Sequence, residues 1–374
     1  MLKPIKYSNW KRALVACQRM MKTFALWLCN PAVNSHSIAE AELIKVLGSR
    51  IEGQWLWHFL GRKDSKKPLL IHASRLADLN IADKTNLEKW IVETSDIGGY
   101  FTLVPAVHLL PVARPLPVDE DWTALQKLME AFYIKGLRDG LPYSANGTIT
   151  EDRNQQVTYK DFKSDFLQLH KIDSDPDARE VCVVCASELG KAHVDHWVGK
   201  AEFPLLSVCA HNLIPMCDDC NEAPNKGTGK VHTGGSFQEW FHPYQRPPAG
   251  KFGMKLHPAD LEIELQSIDP SDAPRVANLN TLFNLTTRWS KEARAEYRKV
   301  QRSLERRQVE KKAVLTAQEI DKALLDLAKN LCEAEPNYEV HTALYQVICA
   351  PARLIAWQTE LKNDFDEKVA SGLV

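Results

Sequence analysis

The stretch Val181–Gly229, "VCVVCASELGKAHVDHWVGKAEFPLLSVCAHNLIPMCDDCNEAPNKGTG", decides how this chain is read. Cys182 and Cys185 form one CxxC pair near its start, and Cys217 and Cys220 form a second towards its end. A CxxC places two thiolates on one tight turn so that both reach a single ion, and two such turns complete a tetrahedral zinc shell. The 31 residues between Cys185 and Cys217 exceed what a simple zinc ribbon needs, so a folded unit is expected inside the staple. Two pairs at once favour a closed metal site over a redox pair or four bare thiols. Cys17, Cys29, Cys209, Cys332 and Cys349 lie elsewhere, and the odd total of nine argues against a complete disulfide framework. In a reducing compartment such scattered cysteines read as small buried hydrophobes.

The residues inside the staple carry a second chemistry. Val194, His196 and Val198 alternate as in a short strand, "NLIPMC" reads as a second extended piece, and "CDDCNEA" as a helix start. Strand, loop, strand and helix would gather Asp195, His196, Asn212 and Asn221. Asp195 can offer a hard carboxylate oxygen and Asn221 an amide oxygen to one Mg²⁺ or Mn²⁺. His196, ordinarily near neutrality in pKa, can take a proton from water attacking phosphorus. A divalent ion there would stabilise the charge that develops on the phosphate. His193 and His211 flank the motif and are read as neighbours rather than ligands, and His242 in "FHPY" as a substrate contact or part of an aromatic lid.

In this order, Cys182-x-x-Cys185, Asp195-His196, Asn212-Leu213 and Cys217-x-x-Cys220-Asn221 resemble the HNH (ββα-metal) endonuclease motif in its zinc-bearing four-cysteine form. The resemblance covers about residues 160–245. It implies a metal-dependent endonuclease that hydrolyses DNA phosphodiester bonds, with His196 as general base. Asp195 and Asn221 would then be ligands of the catalytic ion, and Asn212 the brace of the loop between the strands. "FPLLS" and "NLIP" are similar to HNH proteins of bacterial phage-defence modules, which implies antiviral defence with an ATPase or another sensing protein as partner. One departure is "CNEAPNKG", two residues longer than the family's CNxxKG, which leaves the last ligand at Asn221 or at Asn225. Asn221 is preferred because it directly follows Cys220. Lys226 and Lys230 are expected to contact phosphate. The competing reading is a zinc-stabilised nucleic-acid-binding or scaffold module without catalysis, which would need the cysteines alone.

Around the motif the chain reads as mostly α-helical. A helical N-terminal domain spans 1–104, a proline-rich linker and helix 105–154, the central HNH domain 155–250 and a helical C-terminal domain 251–374. "ALVACQRMMKTFALWLC" is broken by Gln18, Arg19 and Lys22, and its Leu14, Cys17, Met21, Phe24 and Leu28 recur at helical spacing. It therefore reads as an amphipathic helix and not a leader, and with no other membrane-length apolar run the expected location is cytoplasmic. With a net charge of -1 the whole molecule is no polycation, so nucleic-acid binding needs a local positive surface. Lys291, Arg294, Arg298 and Arg302 form such a stripe at steps of three or four, a surface for DNA with RNA left open. A solvated helix balanced by Glu292, Glu296, Glu305 and Glu310 is the competing reading.

Overall fold

The amphipathic N-terminal pattern is a helix, Lys11–Leu28, and it buries Leu14, Cys17, Met21, Phe24 and Leu28 along one face. The computed structural model describes residues 3–64, 66–102, 109–172, 175 and 179–372. The helix Glu40–Leu47 stops where Gly48 takes a left-handed conformation, and the Ser49 side chain then caps Arg50–Leu60. Gly53 lets these two helices cross closely, since a Cβ there would lie 2.6 Å from the Ile44 backbone. The stretch from Leu70 to Ser95 makes two helices, Leu70–Ala77 and Ile81–Thr94. The second starts earlier than Asp83, because the Asn80 side chain accepts the Asp83 N–H at 2.9 Å and caps the turn.

Residues 103–108, the end of the expected N-terminal domain and the start of the expected linker, lie outside the described residues. From Leu109 the chain is irregular, and Leu110 donates its N–H to the Gly235 carbonyl at 3.0 Å, which straps the segment onto the central region. The helix Asp119–Ala131 follows and continues through a π-helical turn, Phe132–Leu137. This helix packs on the turn Pro204–Leu206 of the central region. Ser207 Oγ donates to the Met129 carbonyl at 2.8 Å, and Trp90 stacks on Phe203.

The centre is built on two antiparallel strands, His193–His196 and Leu213–Met216, with Asp195 opposite Ile214. A four-residue helix, Asp218–Asn221, follows and packs on the first strand. A further hairpin pairs Phe252–Leu256 with Ile263–Ser267. The C-terminal helices are Ala273–Phe283, Leu285–Lys311, Ala317–Lys329, Tyr338–Ile348 and Pro351–Ala370. Thr316 and Glu319 close the expected capping box. The architecture is thus mostly helical, with small two-stranded sheets. Its apolar core runs without a break from Ala13 to Leu361, through all of these regions. No helix among the described residues is long and apolar enough to cross a membrane.

His242 is a core residue, fully buried against the Phe101 ring, not a cleft residue. Its Nδ1 accepts the N–H groups of Tyr244 at 3.2 Å and Gln245 at 3.0 Å, so the ring proton sits on Nε2. Burial pushes its pKa down to about 3. The unfolded chain protonates this ring below about pH 6.5 and the folded chain does not, so its contribution to stability is complete above that pH. It is lost as pH falls towards 3, by about 1.4 kcal/mol per unit. The expected result is a urea midpoint that falls from pH 7 to pH 5 more steeply in wild type than in His242→Gln. Equal slopes would show that this histidine does not set the acid limit.

Candidate functional site

The four motif cysteines converge. The Sγ atoms of Cys182, Cys185, Cys217 and Cys220 all lie within 4.8 Å of one another and all four residues are buried, so the cluster can hold a metal ion such as zinc. The turns that carry them are set by backbone bonds: Ala186 N–H to Cys182 O at 2.8 Å, and Asn221 N–H to Cys217 O at 3.1 Å. Hydrogen bonds from the other three thiols, with the Arg288 charge added, pull the Cys185 thiol well below its usual pKa, while burial pushes Cys182 up. Ser187 Oγ stands 2.9 Å from Cys185 Sγ, and the Cys217 N–H points to Cys182 Sγ at 3.4 Å. Such outer contacts orient metal-binding thiolates.

One strand away, His196 is only 5% exposed. Its Nε2 lies 2.8 Å from the Ser207 carbonyl oxygen. A carbonyl can only accept, so Nε2 carries the proton and Nδ1 keeps a free lone pair. Burial, with the Lys200 charge nearby, pushes the imidazole pKa down to about 3, so the ring is neutral at ordinary pH. The Tyr133 ring meets it edge-on at 4.6 Å and is itself fixed by its hydroxyl on the Val194 carbonyl. Asn212 is fully buried and braces the loop between the strands. Its Oδ1 accepts the Val198 N–H at 2.7 Å, and its Nδ2 donates to Val198 O at 2.9 Å and Leu206 O at 3.3 Å.

Asp195 faces a cation. Lys226 Nζ stands 2.6 Å from Asp195 Oδ2, in ion contact without the alignment of a hydrogen bond, and donates to the His196 carbonyl at 2.7 Å. Lys226 is 2% exposed, so it is not the surface phosphate contact that the sequence suggested. Lys230 is exposed and paired with Glu202 at 2.9 Å. Asn221 is half-buried on the short helix, and its side chain makes no hydrogen bond among the described residues. Asn225 gives its amide nitrogen to the Asp219 carbonyl, while its Oδ1 is buried without a partner. His193 pairs with Asp218, and His211 meets the Tyr7 hydroxyl at 2.7 Å.

No family model matches the chain, and no curated protein or solved structure matches it. The chemistry of the site therefore has to be argued from its own residues.

Asp195 and His196 open onto a cleft of about 540 Å³. Its far wall comes from the N-terminal half, through Trp90, Arg114, Trp122 and Gln126. Gln126 Nε2 donates to the Ala201 carbonyl at 2.5 Å and fastens that wall. Arg114, Lys200, Lys226 and Lys230 line the cleft against Asp195 and Glu202, which leaves it cationic. The Glu202 carboxyl is held below its usual pKa because hydrogen bonds from His232 and Lys230 outweigh its burial. The sequence did not point to Trp122, Arg114, Glu202 or His232; nothing in their local spacing sets them apart from ordinary helix and loop residues. Asn221 and Asn225 do not line the cleft.

The basic stripe lies along the helix Leu285–Lys311. Lys291, Arg298 and Arg302 are exposed and Arg294 half-buried, and none makes an ion pair among the described residues. Glu296, one of the expected balancing charges, is buried and turned towards Lys299 and Tyr345.

Proposed function

We propose that this protein is a zinc-stapled HNH-type endonuclease, hydrolysing phosphodiester bonds of a strand held in the cationic cleft. The observation that carries the reading is the state of His196: neutral, its proton fixed on Nε2 by Ser207 O, its Nδ1 lone pair free, beside Asp195 in the cleft wall. Nδ1 would take the proton of the attacking water, whose oxygen bonds to phosphorus as the bond to the leaving strand breaks. Lys200 and Lys230 favour an anionic backbone in the cleft. Asp195 and Asn221 would hold Mg²⁺ or Mn²⁺, an ion that stabilises the developing negative charge. They lie on elements in contact, and the Asn221 amide makes no hydrogen bond among the described residues, but Asn221 lies outside the cleft lining and would have to turn towards Asp195 to share the ion. Binding the ion requires Lys226 to release Asp195.

That last requirement favours a second reading, in which Lys226 is the permanent counter-ion of Asp195 and the domain binds nucleic acid without cutting it. Incubation with supercoiled plasmid, and in parallel with RNA, separates the two. Cutting is expected with Mg²⁺ or Mn²⁺ and none with EDTA. Asn221→Ala should lose it and Asn225→Ala keep it; the reverse result would move the ligand to Asn225, whose Nδ2 serves the Asp219 carbonyl but whose Oδ1 is left for an ion. Binding of either nucleic acid with no cutting at any metal concentration would establish the second reading.

A further inference from the structure

The sequence places Arg288 among the basic residues of a charged helix, yet its guanidinium faces sulfur. Nη1 lies 3.3 Å from Cys220 Sγ and Nη2 lies 3.4 Å from Cys185 Sγ. Between them the two nitrogens therefore reach one cysteine of each CxxC pair. The side chain is 19% exposed, whereas Lys291, Arg298 and Arg302 of the same helix stand in solvent. The next residue adds a second grip: Trp289, itself buried, donates its indole N–H to the Cys185 carbonyl at 2.8 Å. From the helix Tyr338–Ile348 side, the Asn337 N–H reaches the Ala186 carbonyl at 2.6 Å.

We infer that Arg288 is a positioning residue of the cysteine site, neutralising a metal–thiolate centre and thereby tying the docking of the helix Leu285–Lys311 to metal occupancy. The inference rests on the reading of the cluster as a zinc site but not on nuclease activity. Four thiolates around Zn²⁺ carry a formal charge of about −2, while four protonated thiols carry none. A guanidinium within hydrogen-bonding distance of two of these sulfurs stabilises the loaded state strongly and the empty, protonated state little. Linkage makes the effect reciprocal, so zinc must hold Arg288, and with it the first turn of the helix, as firmly as Arg288 holds zinc. The C-terminal helices then behave as a lobe latched to the centre through sulfur.

The test is zinc competition on the full chain, with Zn²⁺ transferred to a colorimetric chelator. Arg288→Met is expected to weaken zinc binding about 10- to 100-fold, the range for loss of an outer-shell partner of a metal ligand, and Arg288→Lys to weaken it less. Hydrogen exchange on the wild type supplies a readout that needs no variant. Amides of Leu285–Glu292 should exchange faster after zinc is withdrawn, and Arg288→Met loaded with zinc should show the same local loosening. Wild-type zinc affinity in Arg288→Met, or unchanged exchange in that turn when zinc leaves, would overturn the inference and spare the zinc reading. A wild-type chain that takes up no zinc would overturn both.

Discussion

Replacing His196 by alanine or by glutamine is expected to lower metal-dependent cutting by about 100- to 10,000-fold, the usual worth of a positioned acid–base group. The two variants separate chemistry from packing. Alanine leaves the Ser207 carbonyl unpaired and buried, which costs about 1–3 kcal/mol of stability in its own right. Glutamine can donate an amide N–H to that carbonyl but has no basic nitrogen. If His196→Gln melts near wild type and does not cut, the lost function is the Nδ1 lone pair. Full cutting by His196→Gln would remove His196 from the mechanism. The low basicity of the buried ring has a physical remedy in the cleft itself. Burial depresses it most and Lys200 and Lys226 depress it further, and under the proposed mechanism an anionic phosphate beside Lys200 would offset part of that field while a strand is present.

The parts of this site that were legible in the sequence are those whose chemistry demands a spacing. Two thiolates on one ion need a tight turn, so the CxxC pairs announced the cluster that the fold assembles. Strand alternation around His196 likewise gave the first strand and the extended piece "NLIPMC" the second, and apolar periodicity gave the helix Lys11–Leu28. What stayed hidden depends on partners far away in the chain. Lys226 reads as a loop lysine until Asp195 is seen beside it, and a lysine takes the same letter whether it meets solvent or a buried carboxylate. Arg288 sits in a run of charges at helical spacing, and periodicity cannot tell the face that meets solvent from the position that meets sulfur. The strand Phe252–Leu256 follows a Pro–Gly turn with little apolar contrast, and its pairing with Ile263–Ser267 is what defines it. The cleft wall was invisible for the same reason: Trp90 and Trp122 are ordinary helix residues locally, and only packing brings them opposite Asp195.

Withdrawing the metal from the cysteine cluster is expected to lower Tm on the order of 10 °C or more, since several kcal/mol of metal binding free energy is folding free energy here. The reason is where the staple sits. Cys182 and Cys185 precede the strand His193–His196, while Cys217 and Cys220 bracket the start of the short helix, so one ion closes the whole two-strand unit. That unit buries Trp197, Asn212 and Ile214 but has only two strands, and a two-stranded sheet has little stability of its own in water. Cys217→Ser should therefore lose the metal and most of the same Tm, with about one zinc per wild-type chain and far less in the variant. Cys332→Ser, at an exposed position, should match wild type in both measurements. The thiols themselves make the contrast sharp. Without metal, four buried sulfurs would face the Arg288 cation either as weakly accepting thiols, leaving it to Asp219 and the Phe283 carbonyl, or as thiolates repelling one another. Both states are poorer than the loaded one, so a chelated protein that keeps its wild-type Tm would mean that the cluster packs as bare thiols and that the centre of the molecule is held by its apolar core alone.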